Sequence, residues 1–160
     1  MELHKTRINL PTDSRNRLVG LLNEQLADTF DLYSQTKQAH WNVKGKDFFQ
    51  LHEMFDELAA ELLPHVDTIA ERATTLGGTA LGTARMASSA SRIDEYPPDA
   101  VDGTGHLEAL ADRYGSLADA LRQAINEAAG LDDADTADLF TEVSRTVDKA
   151  LWFIEAHLQA

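Results

Sequence analysis

Two pairs of side chains with metal-binding chemistry stand four residues apart in one stretch of the chain: His52 with Asp56, and Asp67 with Glu71. Residues four apart on a helix share a face, so each pair projects as half of a metal site. Imidazole nitrogen with carboxylate oxygen suits iron, and the hard carboxylates suit Fe(III) as well as Fe(II). At about 100° per residue the four side chains span an arc of roughly 100°, on one side of one helix. They cannot share a metal within a single chain. The pair centres are 15 residues apart, about 22 Å along a helix axis, against metal–ligand bonds of about 2 Å. Two copies of the helix packed antiparallel, about a two-fold axis near Glu61 and Leu62, would bring His52 and Asp56 of one subunit to Asp67 and Glu71 of the other, creating two equivalent sites. His40 can supply a further imidazole beside His52. The same spacing also occurs on a solvated acidic helix face. A di-iron site inside one bundle would use Glu-x-x-His motifs, and the sequence contains none.

Composition agrees with a cation-handling role. The formal charge is −13, from 27 acidic and 14 basic residues, a field that attracts cations and repels nucleic acid and acidic membranes. With no cysteine, disulfides, iron–sulfur clusters and thiolate zinc sites are excluded, leaving oxygen and imidazole ligands. The 160 residues, 43% of them hydrophobic, suit one domain with a sizeable core. Neither a signal-like apolar run at the start nor a membrane-length apolar stretch is present, so a cytoplasmic location with no membrane partner is expected.

Four long helical patterns must position these residues. The first is expected over 12–40, capped by Thr12 or Asp13, with Leu18, Leu21, Leu22, Leu26 and Phe30 at helical spacing. The second opens near Asp47, carries Phe48, Leu51, Phe55, Leu58, Leu62 and Ile69, and stops at Gly77-Gly78, where glycine takes a left-handed cap. Pro64 within it should bend the helix locally. Residues 79–103 read as a long connection with room for a short helix. The third pattern covers 104–129 and ends at Gly130. The fourth covers 134–158. Four amphipathic helices with one long central link predict an all-α, ferritin-like four-helix bundle, in which the long connection joins helices two and three. Residues 1–11 form a short N-terminal tail to a single domain over 1–160.

Specific residues carry a family likeness. The run Lys37-Gln38-Ala39-His40-Trp41-Asn42-Val43-Lys44-Gly45, then Phe48, Leu51-His52-Glu53-Met54-Phe55-Asp56, Asp67 through Arg72, and Leu76-Gly77-Gly78 closely resembles the Dps family of miniferritins. Tyr96-Pro97, Ala111 to Tyr114 and Asp148 to Glu155 extend the resemblance over nearly the whole chain.

The resemblance implies a dodecameric cage, a homo-oligomer in which intersubunit ferroxidase sites oxidise Fe(II) to Fe(III). Hydrogen peroxide is the preferred oxidant, and ferric mineral is stored inside. Carried over, His40, His52 and Asp56 come from one subunit, and Asp67 and Glu71 from its partner, with Asp67 binding directly or through water. Trp41 packs over the site, intercepts oxidising equivalents, or is simply a core aromatic. Glu53 and Glu57 seed mineral or form a solvated face. The acidic cluster Asp132, Asp133, Asp135 and Asp138 suits a helix N-terminus, and its counterpart in the family lines iron-entry pores, with Asp138 and then Asp133 the expected pore residues. His65, His106, His4 and His157 are expected to be structural or solvated. DNA binding departs from the family's name. Only His4, Lys5 and Arg7 offer basic character before the first helix, and phosphate contacts need several cations, so weak or no binding is expected and a DNA-coating role is the alternative.

Overall fold

The protein's computed structural model describes residues 3–159. Met1 and Glu2 of the expected tail, and Ala160, lie outside the described residues. Five helices follow in order: α1 (Thr12–Asn42), α2 (Phe48–Thr75), α3 (Ala84–Ala90), α4 (Gly103–Gly130) and α5 (Ala134–Leu158). No strand forms among the described residues; the extended segments meet only in a bridge between Lys44 and Asp102. None of the described helices is long and apolar enough to cross a membrane.

The apolar spacing of each helix becomes one core. Leu18, Leu22, Phe55, Leu62, Ile69, Leu110, Leu117, Phe140 and Ile154 are all essentially inaccessible. Tyr114 lies fully buried among them, its hydroxyl 3.2 Å from Thr36 Oγ1. Phe48, expected in the core, is 45% exposed because it begins α2 at the rim of the bundle.

Helices α1 and α2 pack as one pair and α4 and α5 as another, with α1 against α4 and α2 against α5. The Lys44 amide donates to Val101 O at 3.0 Å, which ties the end of α1 to the start of α4. Helix α4 therefore runs parallel to α2, and parallel helices cannot be joined by a tight turn. Residues 76–102 must return along a helix about 42 Å long. A polar stripe on α1 pins that connection. Asp28 accepts from the backbone and guanidinium of Arg92, Asp31 from the Ser91 hydroxyl, and the Gln35 amide donates to Asp94 O.

The ends of the helices refine the expectations. The cap of α1 falls on Pro11 with no side-chain hydrogen bond, so Thr12 and Asp13 lie inside the first turn. Helix α2 runs through Pro64 to Thr75; beyond it Gly77 takes φ +88°, and Gly77 and Gly78 donate to Thr74 O and Ala73 O in a Schellman closure. A Cβ on Gly78 would lie 2.4 Å from Val19. At the end of α4 the left-handed residue is Asp132, at φ 60°. Gly130 stays helical, since Asp132 and Asp133 donate to Ala129 O and Ala128 O in the same closure. The tail is docked rather than free over its described part: His4 N donates to Gly77 O at 2.8 Å, and Leu3, Ile8 and Leu10 pack on the core.

Candidate metal centre

The turn between α1 and α2, with Gly45 at φ +113°, sets the last turn of one helix against the first turns of the next. His40 Nδ1 lies 2.7 Å from His52 O, and His52 Nδ1 lies 2.8 Å from His40 O. A carbonyl only accepts, so each Nδ1 carries the proton and each Nε2 presents its lone pair. Histidine ligands are prepared in this way when the second ring nitrogen donates to a fixed acceptor. The two rings stack with centroids 3.8 Å apart, and Phe48 stacks on the outer side of His52 at 5.1 Å.

Asp56, one turn after His52, is exposed and accepts from Lys37 Nζ at 2.5 Å. That hydrogen bond holds its carboxyl below the usual carboxylate range, against the opposing effect of burial, with the charge of Lys37 and then of His40 and His52 adding to the lowering. Lys37 was not among the expected site residues, although it lies one turn before His40. In this state the lysine occupies the carboxylate that a metal would use. Replacing Lys37 by Met is expected to tighten binding of a redox-inert divalent ion such as Co(II), measured calorimetrically at neutral pH. The gain should be about 2- to 5-fold, because an exposed ion pair contributes only about 0.2–1 kcal/mol.

The second half-site is separate. Asp67 and Glu71 are exposed on the far half of α2. Among the described residues, no three His, Asp or Glu side chains of the one chain converge on a metal position. Between the half-sites the exposed strip of α2 carries Ala60 and Leu63, the latter 47% exposed. The residues expected at the axis behave differently: Leu62 is in the core, and Glu61 pairs with Lys149 at 3.2 Å. Pairing positions whose numbers sum to 123 matches His52 with Glu71, Asp56 with Asp67 and Ala60 with Leu63. The midpoint inferred from the candidate ligands thus falls on an apolar part of the strip.

Arg72, next to Glu71, points the other way. It donates to both oxygens of Asp133, at 2.7 and 2.9 Å, and to Thr136 Oγ1. Asp133 is buried and also caps α5 through Thr136 N. Burial alone would raise its carboxyl, but Thr136 and Arg72 together leave it lowered. Of its two expected roles Asp133 takes the capping one, and its carboxylate is already committed to Arg72. Asp138 and Asp132 are exposed and line a shallow pocket with Ala134, Ala137 and Thr141. Trp41 is 65% exposed with Lys37 Nζ 5.7 Å from its ring centroid, so it is not a core aromatic. Glu53 and Glu57 are exposed on α2. His65 bonds Thr146 at 2.9 Å, and His106 is wholly buried.

Residues 19–160 match the ferritin-like domain family. The chain is 47% identical to the DNA protection during starvation protein of Agrobacterium fabrum, over 99% of this chain and 98% of that one. The chain belongs to the Dps family. Solved Dps structures agree with this: the Mycobacterium smegmatis Dps superposes with a TM-score of 0.94 at 30% identity, covering 99% of this chain and 96% of that one. The Dps protein of Vibrio cholerae O1, a member of a broad superfamily of ferritin-like diiron-carboxylate proteins, gives 0.90 at 30% identity, covering 99% of each chain. The Dps fold thus accounts for the parallel α2 and α4 and the long connection between them.

Proposed function

We propose that this Dps chain is the subunit of a homo-oligomeric, dodecameric cage that oxidises Fe(II) and stores the ferric product, with hydrogen peroxide as the preferred oxidant. The observation that carries the reading is the reciprocal lock of His40 and His52, which leaves two imidazole lone pairs beside Asp56. Asp67 and Glu71 of a partner complete the site when α2 packs on its own copy. Mixed imidazole and carboxylate ligation holds Fe(II) and accommodates Fe(III) without a change of donors. Shared sites also make the ferroxidase dependent on assembly. Asp138, with Asp132, is assigned to the entry path for ferrous iron, and Glu53 and Glu57 to nucleation of mineral. The site holds iron as substrate, so no resident cofactor is required.

The direct test is anaerobic loading with Fe(II) followed by a peroxide pulse or by oxygen, with ferric absorbance recorded. Peroxide is expected to give the faster phase. Equal rates would identify an oxygen-using storage protein, and no ferric product with either oxidant would reject the reading.

The names of the relatives favour a second reading, protection by coating DNA. The charge of −13 per chain and the docking of residues 3–11 weigh against it, since DNA binding draws on cationic contacts that release counterions. Plasmid DNA is expected to run unshifted with the assembled protein at ~150 mM salt. A retarded band under those conditions would restore the coating role.

A further inference from the structure

Three rings stand in a row where α1 meets α2. The His52 imidazole has His40 on one face, with centroids 3.8 Å and planes 21° apart, and Phe48 on the other, at 5.1 Å and 29°. Phe48 lies four residues before His52, one helical turn away on the same face of α2. The turn at Gly45 delivers it there, since the Phe48 amide donates to Gly45 O at 3.2 Å. As the first residue of α2 it keeps 45% of its surface exposed, so it adds little to the core. What its ring does cover is His52, at a spacing typical of offset-stacked rings. The imidazole needs that contact. The hydrogen bond from His52 Nδ1 to His40 O, at 2.8 Å, fixes the tautomer and one ring atom but leaves the ring plane free to tilt about the line of the bond. A metal on Nε2 lies along a lone pair in that plane, so tilt displaces it. Flat rings on both faces stop the tilt in both directions.

We propose that Phe48 is a positioning residue of the metal centre, whose ring holds the His52 imidazole at the tilt that aims Nε2 at the metal. The inference rests on the iron-oxidation reading above and deepens it. Phe48 offers no donor atom, so its effect runs entirely through His52. Groups outside the ligand shell that orient a ligating histidine govern metal affinity, and apolar ones also control the access of water to the site. The flat face of the ring carries the orienting effect. Tyrosine at position 48 keeps that face, whereas leucine covers His52 with apolar surface but cannot stack on it. A misaimed ligand weakens the binding of iron before it changes the chemistry of bound iron, which is the pattern of a raised KM with kcat kept.

The experiment titrates Co(II) into assembled wild type, Phe48→Leu and Phe48→Tyr, read by calorimetry and by the visible absorption of the bound ion, with particle size recorded for each. Phe48→Leu is expected to bind Co(II) about 10-fold more weakly, the lower end of what loss of an outer-shell partner costs, and to change the ligand-field bands. Phe48→Tyr should restore both. With Fe(II) and peroxide, the leucine variant should need about 10-fold more iron for half its maximal rate while that rate changes by less than about 2-fold. Leucine that matches wild type in affinity and bands would overturn the proposal, as would tyrosine that fails along with leucine or wild type that binds no Co(II). Should the leucine variant not assemble, a crystal structure of Co(II)-loaded wild type decides: Phe48 stacked on a metal-bound His52 supports the proposal, and a ring turned away overturns it. If no ferric iron forms with either oxidant, the iron reading fails, and the Co(II) measurements still decide the role of Phe48.

Discussion

Subunits carrying His52→Ala and Asp56→Ala are expected to form ferric iron at least about 100-fold more slowly than wild type, since loss of a mere outer-shell partner at a metal site already costs 10- to 100-fold. Asp67→Ala with Glu71→Ala should do the same, although the two pairs lie on different halves of α2. The decisive form of the experiment mixes the two inactive variants. A dimer of one subunit from each has one site with every ligand and one site with almost none. Random pairing makes about half of the dimers mixed, and each has one intact site of two, so about a quarter of wild-type activity should return. A site built within one chain would return nothing. Co-expression followed by initial-rate measurements with peroxide reads the difference directly, and particle size shows that both variants still assemble.

Asp133→Ala is expected to give the largest loss of stability. The substitution removes the cap of α5 and leaves the Arg72 guanidinium, whose side chain is only 14% exposed, with only the exposed carboxylate of Asp135, 3.9 Å away. Breaking a largely buried pair on one side costs about 3–5 kcal/mol. For a chain of this size that lowers the melting temperature on the order of 10 °C, compared at equal protein concentration because assembly also contributes. Asp133→Asn, which can still cap the helix, should lose less. The pH dependence has a definite sign. Asp133 titrates below its ordinary 3.8 in the fold, so its stabilisation is complete above that value and is lost as the pH falls through the lower, folded one. The gap in melting temperature between wild type and Asp133→Ala should therefore narrow in acid. A constant gap would mean that the damage is packing alone. Arg72 adjoins Glu71, so the variant should also slow iron oxidation by loosening the second half-site.

Several elements were legible from residue order because local physics decides them. The Leu and Phe repeats placed the long helices over 12–40, 104–129 and 134–158, and the structure has Thr12–Asn42, Gly103–Gly130 and Ala134–Leu158. Gly77 ends α2 because a left-handed residue without a side chain closes the helix at little cost. Helix α4 likewise ends at Gly130, as its position after the last apolar repeat indicates, while the left-handed position two residues on falls to Asp132, which aspartate tolerates. The four-residue spacing of His52 with Asp56 and of Asp67 with Glu71 was likewise local, and helix geometry alone excluded a site within one chain.

Contacts between residues far apart in sequence were decided by tertiary structure. The hold of each histidine on the other's carbonyl depends on how α1 and α2 turn against each other. The pairing of Asp133 with Arg72 depends on where α5 begins beside α2, and that of the Tyr96 hydroxyl with His106 on the path of the long connection. Sequence by itself determined the helices, their buried faces and the spacing of the two candidate half-sites, because those follow from periodicity and short-range sterics. Only the folded chain decided which polar groups are committed to partners and which remain open to a metal. That outcome rests on the register and rotation of packed helices, which no local pattern encodes.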